Sequence, residues 1–331
     1  MRPFHYEHAA DRAEALKAAA AARNAQYLAG GTTLIDLMKL DVMRPVRVID
    51  INALSGSAGT ITLGSDGLRM GAMAHMTEAA DHEGVRKSYP VIAQSLQLAA
   101  SQQLRNMATL GGNVLQRTRC SYFRDTSYPN CNKRTPGSGC AAIGGINRQH
   151  AVLGTSEHCI ATYPGDFAQA LLALDAELEI NGPRGARRIP FAALHRPPGS
   201  TPHIETNLTP GELITAFNVP ASKAAQRSLY LKIRDRESYE FALASAAVAI
   251  ELDGGTVRDA RIALGGVATL PWRATDAEAL LKGNPIDEAS ATEAADMAFA
   301  SAQGQSHNAF KIQLGKRTLV RALREAAALE G

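Results

Sequence analysis

The sequence predicts an α+β protein of two or three domains. Three observations carry that expectation. The chain has 331 residues, more than one hydrophobic core usually organises. Near its start, "AQYLAGGTTLIDLMKLDV" followed by "RVIDI" reads as strand, glycine turn, helix and second buried strand. The last third sets two strand candidates, "SLYLKIRDR" and "VRDARIALGGVA", ahead of three helical runs, the pattern of a small antiparallel sheet covered by helices.

Taken in order, Glu7 to Ala22 is rich in Ala, Glu and Leu and reads as a helix. The strand that follows ends at Ala29, and a helical run spans Thr33 to Leu40. "TITLGSDGLRMGAM" reads as a hairpin, because alternating residues flank "GSDG". Pro90 to Ser101 reads as a helix with proline in its first turn. From Arg117 to about His158 no period persists, and Pro, Gly, Asn, Arg and Cys dominate; long irregular stretches inside compact domains are uncommon and tend to be functional. "GDFAQALLALDAELEI" restores order as a helix and a strand, and "ASKAAQRS" (Ala221 to Ser228) is the candidate linker. "FALASAAVAIEL" is ambiguous between strand and helix. Helices near Asp276–Lys282, Ile286–Gln303 and Lys311–Leu329 close the chain.

Composition narrows the function. Hydrophobic residues make up 45% and charged residues 20%, an ordinary folded chain rather than a disordered one. The net charge is +3 and the 35 basic residues are dispersed, so the concentrated footprint of a nucleic-acid binder is missing. No apolar run of about 18 residues spans a membrane. The N-terminus "MRPFHYEHAADRAEA" shows no secretory signal, so the expected location is cytoplasmic, or periplasmic if a signal-bearing partner carries the folded chain out. Structural disulfides are disfavoured in the cytosol.

Five motifs point to chemistry. "LAGGTTLIDL" brings backbone N–H groups and a helix start to one point, which suits a pyrophosphate; a tight turn with a threonine N-cap is the plain reading. "ATLGGN" (Ala108 to Asn113) is a second place for close backbone approach. Asp166 opens a helix, as a plain N-cap or as an acceptor for a sugar-like hydroxyl. On "YLKIRDRESYEFALASAAVAI", Lys232 and Arg234 alternate with apolar residues like a half-solvated strand. All four cysteines, Cys120, Cys131, Cys140 and Cys159, fall within one window, separated by ten, eight and eighteen residues. No C-x2–4-C pair is present, which counts against zinc. An iron–sulfur cluster tolerates wide spacing. Cluster, zinc and unligated thiols all remain open on spacing.

The ordered set "LAGGTTLIDLMK", "RNMATLGGN", "PGDFAQALLALDAEL", "GELITAFNVP", "YLKIRDRESYEFALASAAVAI" and "ARIALGGVATLPWRA" resembles the FAD-binding subunits of the xanthine dehydrogenase family of molybdenum hydroxylases, over almost the whole chain. The resemblance implies a vanillyl-alcohol-oxidase (PCMH) type FAD-binding domain over residues 1–223, in subdomains 1–54 and 55–223, and a flavoprotein C-terminal domain over 224–331. It implies FAD contacts from Ala29, Gly30, Gly31, Thr32, Thr33 and Leu34 at the pyrophosphate. Thr109, Gly112 and Asn113 would make the second contact, Asp166 the ribityl or flavin side, Ile214 the apolar face under the isoalloxazine, and Lys232 the flavin edge.

Asn113 and Asp166 lie 53 positions apart, where most of these subunits have only a few residues. The insertion, about 117–160, resembles those of the bacterial aldehyde oxidoreductase flavin subunit and the 4-hydroxybenzoyl-CoA reductase β subunit, where it carries a [4Fe–4S] cluster. That implies Cys120, Cys131, Cys140 and Cys159 as ligands. The expected function is an electron-transfer subunit without catalytic residues of its own. A large molybdenum-cofactor subunit and a small [2Fe–2S] subunit would be partners, and an external acceptor would take the electrons. A zinc-stabilised assembly protein without flavin is the alternative. A stand-alone flavin oxidase is the third reading, with no evident general base to support it.

Overall fold

Three sheets follow one another along the chain. The computed structural model describes residues 1–329. Strands β1 (His5–His8), β2 (Ala25–Leu28) and β3 (Arg47–Asp50) form a parallel sheet in the order β1–β3–β2. Glu7 and His8 therefore belong to a strand rather than to the first helix, which runs from Arg12 to Ala20. Asp11 caps it by accepting from the Glu14 N–H at 2.9 Å. Ala15, Ala18, Ile49, Ile51 and Leu54 make the core of this unit.

The second sheet is antiparallel, in the order β4–β5–β8–β6–β7, where β4 is Ile61–Gly64, β5 Gly67–Gly71, β6 Glu177–Gly182, β7 Gly185–Pro190 and β8 Leu213–Pro220. Gly64 pairs with Gly67, leaving Ser65 and Asp66 as a two-residue hairpin turn. Helices Pro90–Gln97 and Phe167–Ala173 pack into the core with Leu68, Met70, Phe217 and Leu178.

The third sheet, also antiparallel, has the order β12–β11–β10–β9, with β9 Ser228–Ile233, β10 Ala244–Asp253, β11 Thr256–Gly265 and β12 Trp272–Arg273. The ambiguous alanine-rich segment is β10. Ala247 and Ala249 point into the core of the second sheet, while Ala246, Val248 and Ile250 join the core made with the last three helices. A strand covered on both faces loses the polar alternation that would have marked it. Those helices are Thr275–Leu281, Glu288–Ala298 and Phe310–Ala327. Among the described residues no helix is long and apolar enough to cross a membrane.

Between Arg117 and Cys159 the chain is irregular except for one helical turn, Ser121–Arg124, and isolated bridges at Cys131–Cys140, Leu153–Ala268 and Ser156–Cys159. Cations hold much of this segment, beside buried apolar side chains such as Phe123, Val152 and Leu153. Arg134 donates to the carbonyls of Tyr122 (2.7 Å), Phe123 (2.9 Å) and Tyr128. Arg119 and Arg124 both reach Asp36. Lys311, buried on the last helix, donates to the carbonyls of Gln149, His150 and Gly266; burial first, then nearby Arg148, lowers its pKa to about 7.

Candidate cofactor cleft and cysteine segment

The glycine turn between β2 and helix Leu34–Lys39 forms one wall of a cleft of about 570 Å3. A side chain on Gly30 would place its Cβ 1.9 Å from the Met107 carbonyl oxygen, so this backbone approach admits glycine only. Gly31 sits at φ +71°, in the left-handed region that glycine favours. No hydrogen bond among the described residues uses the N–H groups of Gly30 to Leu34. Thr33 occupies the N-cap position, yet its hydroxyl makes no capping bond. Several donors are therefore left free on residues that line the cleft, an arrangement suited to an anion.

The opposite wall comes from helix Leu110–Val114. Thr109 caps it by accepting from the Gly112 N–H at 3.2 Å. Thr109, Gly112 and Ile214 line the cleft together with Ala29, Gly30, Gly31, Thr32, Thr33 and Leu34. Asn113 lies just behind that lining; its Nδ2 meets Met76 Sδ at 3.3 Å, and its buried Oδ1 has no partner in the chain. The orphaned acceptor beside the cleft fits a bound cofactor.

Asp166 and Lys232 take another arrangement. They form a buried ion pair of 2.8 Å with side-chain exposures of 5% and 1%, outside the lining of the cleft. Asp166 Oδ1 accepts from the Tyr230 hydroxyl at 2.6 Å, and Lys232 also donates to the Leu98 carbonyl at 3.0 Å. Burial, then the Asp166 charge, raises the Tyr230 pKa well above its usual value. Asp166 begins helix Phe167–Ala173 without a side-chain capping bond, because both of its oxygens are engaged across the fold.

Several cleft residues carry no signal in the sequence. Tyr27 donates to the Gly211 carbonyl at 2.8 Å, and burial pushes its pKa up to about 12. Tyr163 and His195 both donate to the Val114 carbonyl at 3.0 Å. Because a carbonyl only accepts, the His195 proton is on Nε2; burial pulls its pKa down to about 4. Glu205 accepts from Arg117 at 2.5 Å and from Lys133 at 2.8 Å. Burial raises the Glu205 pKa, but the two cations outweigh it and hold the carboxyl below its ordinary range. Arg117, Thr118 and Lys133 line the cleft, so the cysteine segment forms part of its wall.

The four cysteines are free thiols in one neighbourhood. Cys131 and Cys140 face each other across their bridge. Burial pushes Cys120 up to about 12 and Cys159 up to about 11, with neighbouring thiols adding to both shifts. His150 Nε2 lies 3.1 Å from Cys120 Sγ. Among the described residues no three Cys, His, Asp or Glu side chains converge closely enough to hold one ion. The sulfurs gather, but they do not form a compact single-ion site.

A glycine turn with free N–H groups lies across a cleft from Gly112, and a four-stranded sheet under three helices follows; the turn belongs to the class that holds a pyrophosphate-bearing cofactor. A family model described as the FAD binding domain in molybdopterin dehydrogenase matches residues 2–222. A second, the CO dehydrogenase flavoprotein C-terminal domain, matches residues 229–326. The chain belongs to the FAD-binding subunits of the molybdenum hydroxylase family. It is 49% identical over 329 residues to the aldehyde oxidoreductase FAD-binding subunit PaoB of Escherichia coli K12, covering 99% of each chain. It is 26% identical to the glyceraldehyde dehydrogenase medium chain of Sulfolobus acidocaldarius, over 86% of this chain and 83% of that one. Among solved structures, carbon monoxide dehydrogenase from Hydrogenophaga pseudoflava superposes with a TM-score of 0.77 at 26% identity, over 99% of both chains.

Proposed function

We propose that this chain is the electron-transfer subunit of a molybdenum-dependent aldehyde oxidoreductase, holding FAD in the cleft and a [4Fe–4S] cluster in the cysteine segment. The full-length likeness to an aldehyde oxidoreductase FAD-binding subunit carries the reading. Substrate oxidation would take place in a large molybdenum-cofactor subunit, and a small [2Fe–2S] subunit would relay electrons to this chain and on to an external acceptor. Bound FAD supplies the ability to take electrons singly and release them in pairs.

This chain's residues supply position. The N–H groups of Gly30 to Leu34 and the hydroxyls of Thr32 and Thr33 would bind the pyrophosphate, with Ala29 at the mouth of the turn. Thr109, Gly112 and Asn113 would hold the opposite side, and Ile214 would pack under the ring. The Asp166–Lys232 pair would act at the flavin edge, Lys232 as donor and Asp166 as its buried counter-charge. Cys120, Cys131, Cys140 and Cys159 would ligate the cluster. What supports this is their number, their shared neighbourhood and a spread that a cubane tolerates better than one ion does. The local apolar core is small, with Leu37, Phe123 and Cys131 buried and Val42, Met43 and Cys120 half-buried against them, so a cluster there would also staple the segment. Membership of an FAD-binding family speaks against the flavin-free, zinc-stabilised alternative.

The test is flavin and iron content of the purified complex, with Cys131→Ala beside the natural chain. One FAD and about four irons assigned to this chain are expected, with the variant keeping flavin and losing that iron. Full iron in the variant, or stoichiometric zinc in the natural chain, would overturn the cluster reading.

A further inference from the structure

We propose that Cys131 and Cys140 are a redox-sensitive dithiol that closes to a cross-strand disulfide whenever neither sulfur is bound to metal. The two are partners in an isolated antiparallel bridge. The Asn132 N–H donates to the Gly139 carbonyl at 2.8 Å, and the Ala141 N–H donates to the Asn130 carbonyl at 2.9 Å. Those bonds flank the cysteines, which therefore occupy the non-hydrogen-bonded position of the ladder. Residues opposed at that position have Cα atoms about 4.5 Å apart and side chains on the same face. A disulfide spans Cα separations of roughly 4.4–6.8 Å, so the bond needs little backbone movement.

The bridge is held in that register. The Cys131 N–H donates to Ser138 Oγ at 3.0 Å. The Asn132 side chain accepts from the Gly139 N–H at 2.9 Å and donates to the His158 carbonyl at 2.9 Å. Cys140 is half-buried and open to a small oxidant, while Cys131 is buried behind it. The other two cysteines have no thiol directly opposite: Cys159 bridges to Ser156, and Cys120 faces His150.

The oxidant is a low-molecular-weight disulfide such as glutathione disulfide. The Cys140 thiolate attacks one of its sulfurs and expels a first thiol. Cys131 sulfur then attacks the mixed disulfide at Cys140 and expels the second. The dithiol loses two electrons and two protons, and the oxidant leaves as two thiols. The inference rests on the thiols themselves. It shares two residues with the proposed cluster, so the closed disulfide and a bound cluster exclude each other.

The test uses the full chain, stripped of metal by a chelator under reducing conditions, freed of reductant and treated with glutathione disulfide. Trapping of free thiols and peptide mapping should show two of the four cysteines lost, as one Cys131–Cys140 link. In concentrated urea the same oxidant should give mixed pairings, since selectivity depends on the fold. Cys131→Ser should leave glutathione stably attached at Cys140. A Cys120→Ser/Cys159→Ser chain should still form the link, which excludes shuffling. Four persisting thiols, or a predominant link to Cys120 or Cys159, would overturn the proposal. Iron measured before chelation decides the cluster separately, because the link is read in either case.

Discussion

At the glycine turn, Gly30 lies against the Met107 carbonyl and regular elements on both sides fix the backbone that faces the cleft. Across the same cleft, the segment carrying Lys133 and the cysteines has almost no secondary structure, and its carbonyls are gathered by Arg134, Lys311 and Asn132. One wall is set by backbone packing and the other by cations placed among carbonyls. A site built from packed backbone tolerates side-chain change but no added atom at the point of contact. A site built from cations tolerates added volume but not loss of a charge.

Loss of charge should have its largest effect at Lys232, the buried cation whose partner Asp166 is buried with it, outside the lining of the cleft. Lys232→Met leaves the Asp166 carboxylate enclosed without its counter-charge. Breaking a buried pair in this way costs about 3–5 kcal/mol. Chemical denaturation of the chain in its complex should show that loss. A loss under about 1 kcal/mol would mean that water reaches Asp166 and that the pair is not an enclosed support.

Two substitutions of intermediate size sharpen the comparison. Gly30→Ala forces a Cβ onto the Met107 carbonyl oxygen, a backbone atom that cannot turn aside; overpacking of this kind costs about 1–3 kcal/mol. The ratio of flavin to protein should fall steeply while the thiol neighbourhood keeps its protection from alkylation. Arg134→Ala should do the reverse. It leaves partly buried carbonyls of Tyr122 and Phe123 without donors, at about 1–3 kcal/mol, and should expose residues 117–160 to proteolysis while flavin is retained. Equal flavin loss in both variants would show that the two walls fold as one unit.

What was legible in the sequence divides along the same line. The glycine turn, the second glycine contact and the hairpin could be read locally, because each needs special residues within a few positions. Asp166 could not be read that way. Its position suggests a helix cap, yet its oxygens answer to Tyr230 and Lys232, 64 and 66 residues further on. Glu205 joins Arg117 and Lys133 from 88 and 72 residues away, and no local pattern announces that triad. Strand β10 hid its period because alanines on both faces are buried in different cores. The first strand was hidden for another reason: Glu7 and His8 are good helix company, but Asp11 starts the helix after them.

The smallest expected effect concerns pH and again contrasts the two walls. His195 belongs to the packed wall, where its Nε2–H donates to the Val114 carbonyl and its pKa is lowered to about 4 by burial, against 6.5 for the free side chain. The unfolded chain therefore binds a proton that the folded chain refuses between those values. Stability from the neutral ring is present above about pH 6.5 and is lost as the pH falls toward 4. Between pH 7 and pH 5 this should amount to about 1 kcal/mol for a ring that is only partly enclosed. Glu205, on the cation-built wall, keeps its depressed pKa at the expense of no stability until the pH falls below the ordinary carboxylate range, near 4.3. His195→Gln, with an amide that still donates to Val114, should remove part of the loss between pH 7 and 5 and leave the steeper loss below it unchanged. Denaturation midpoints at three pH values test this. An identical slope in the variant and the natural chain would move the titration away from His195.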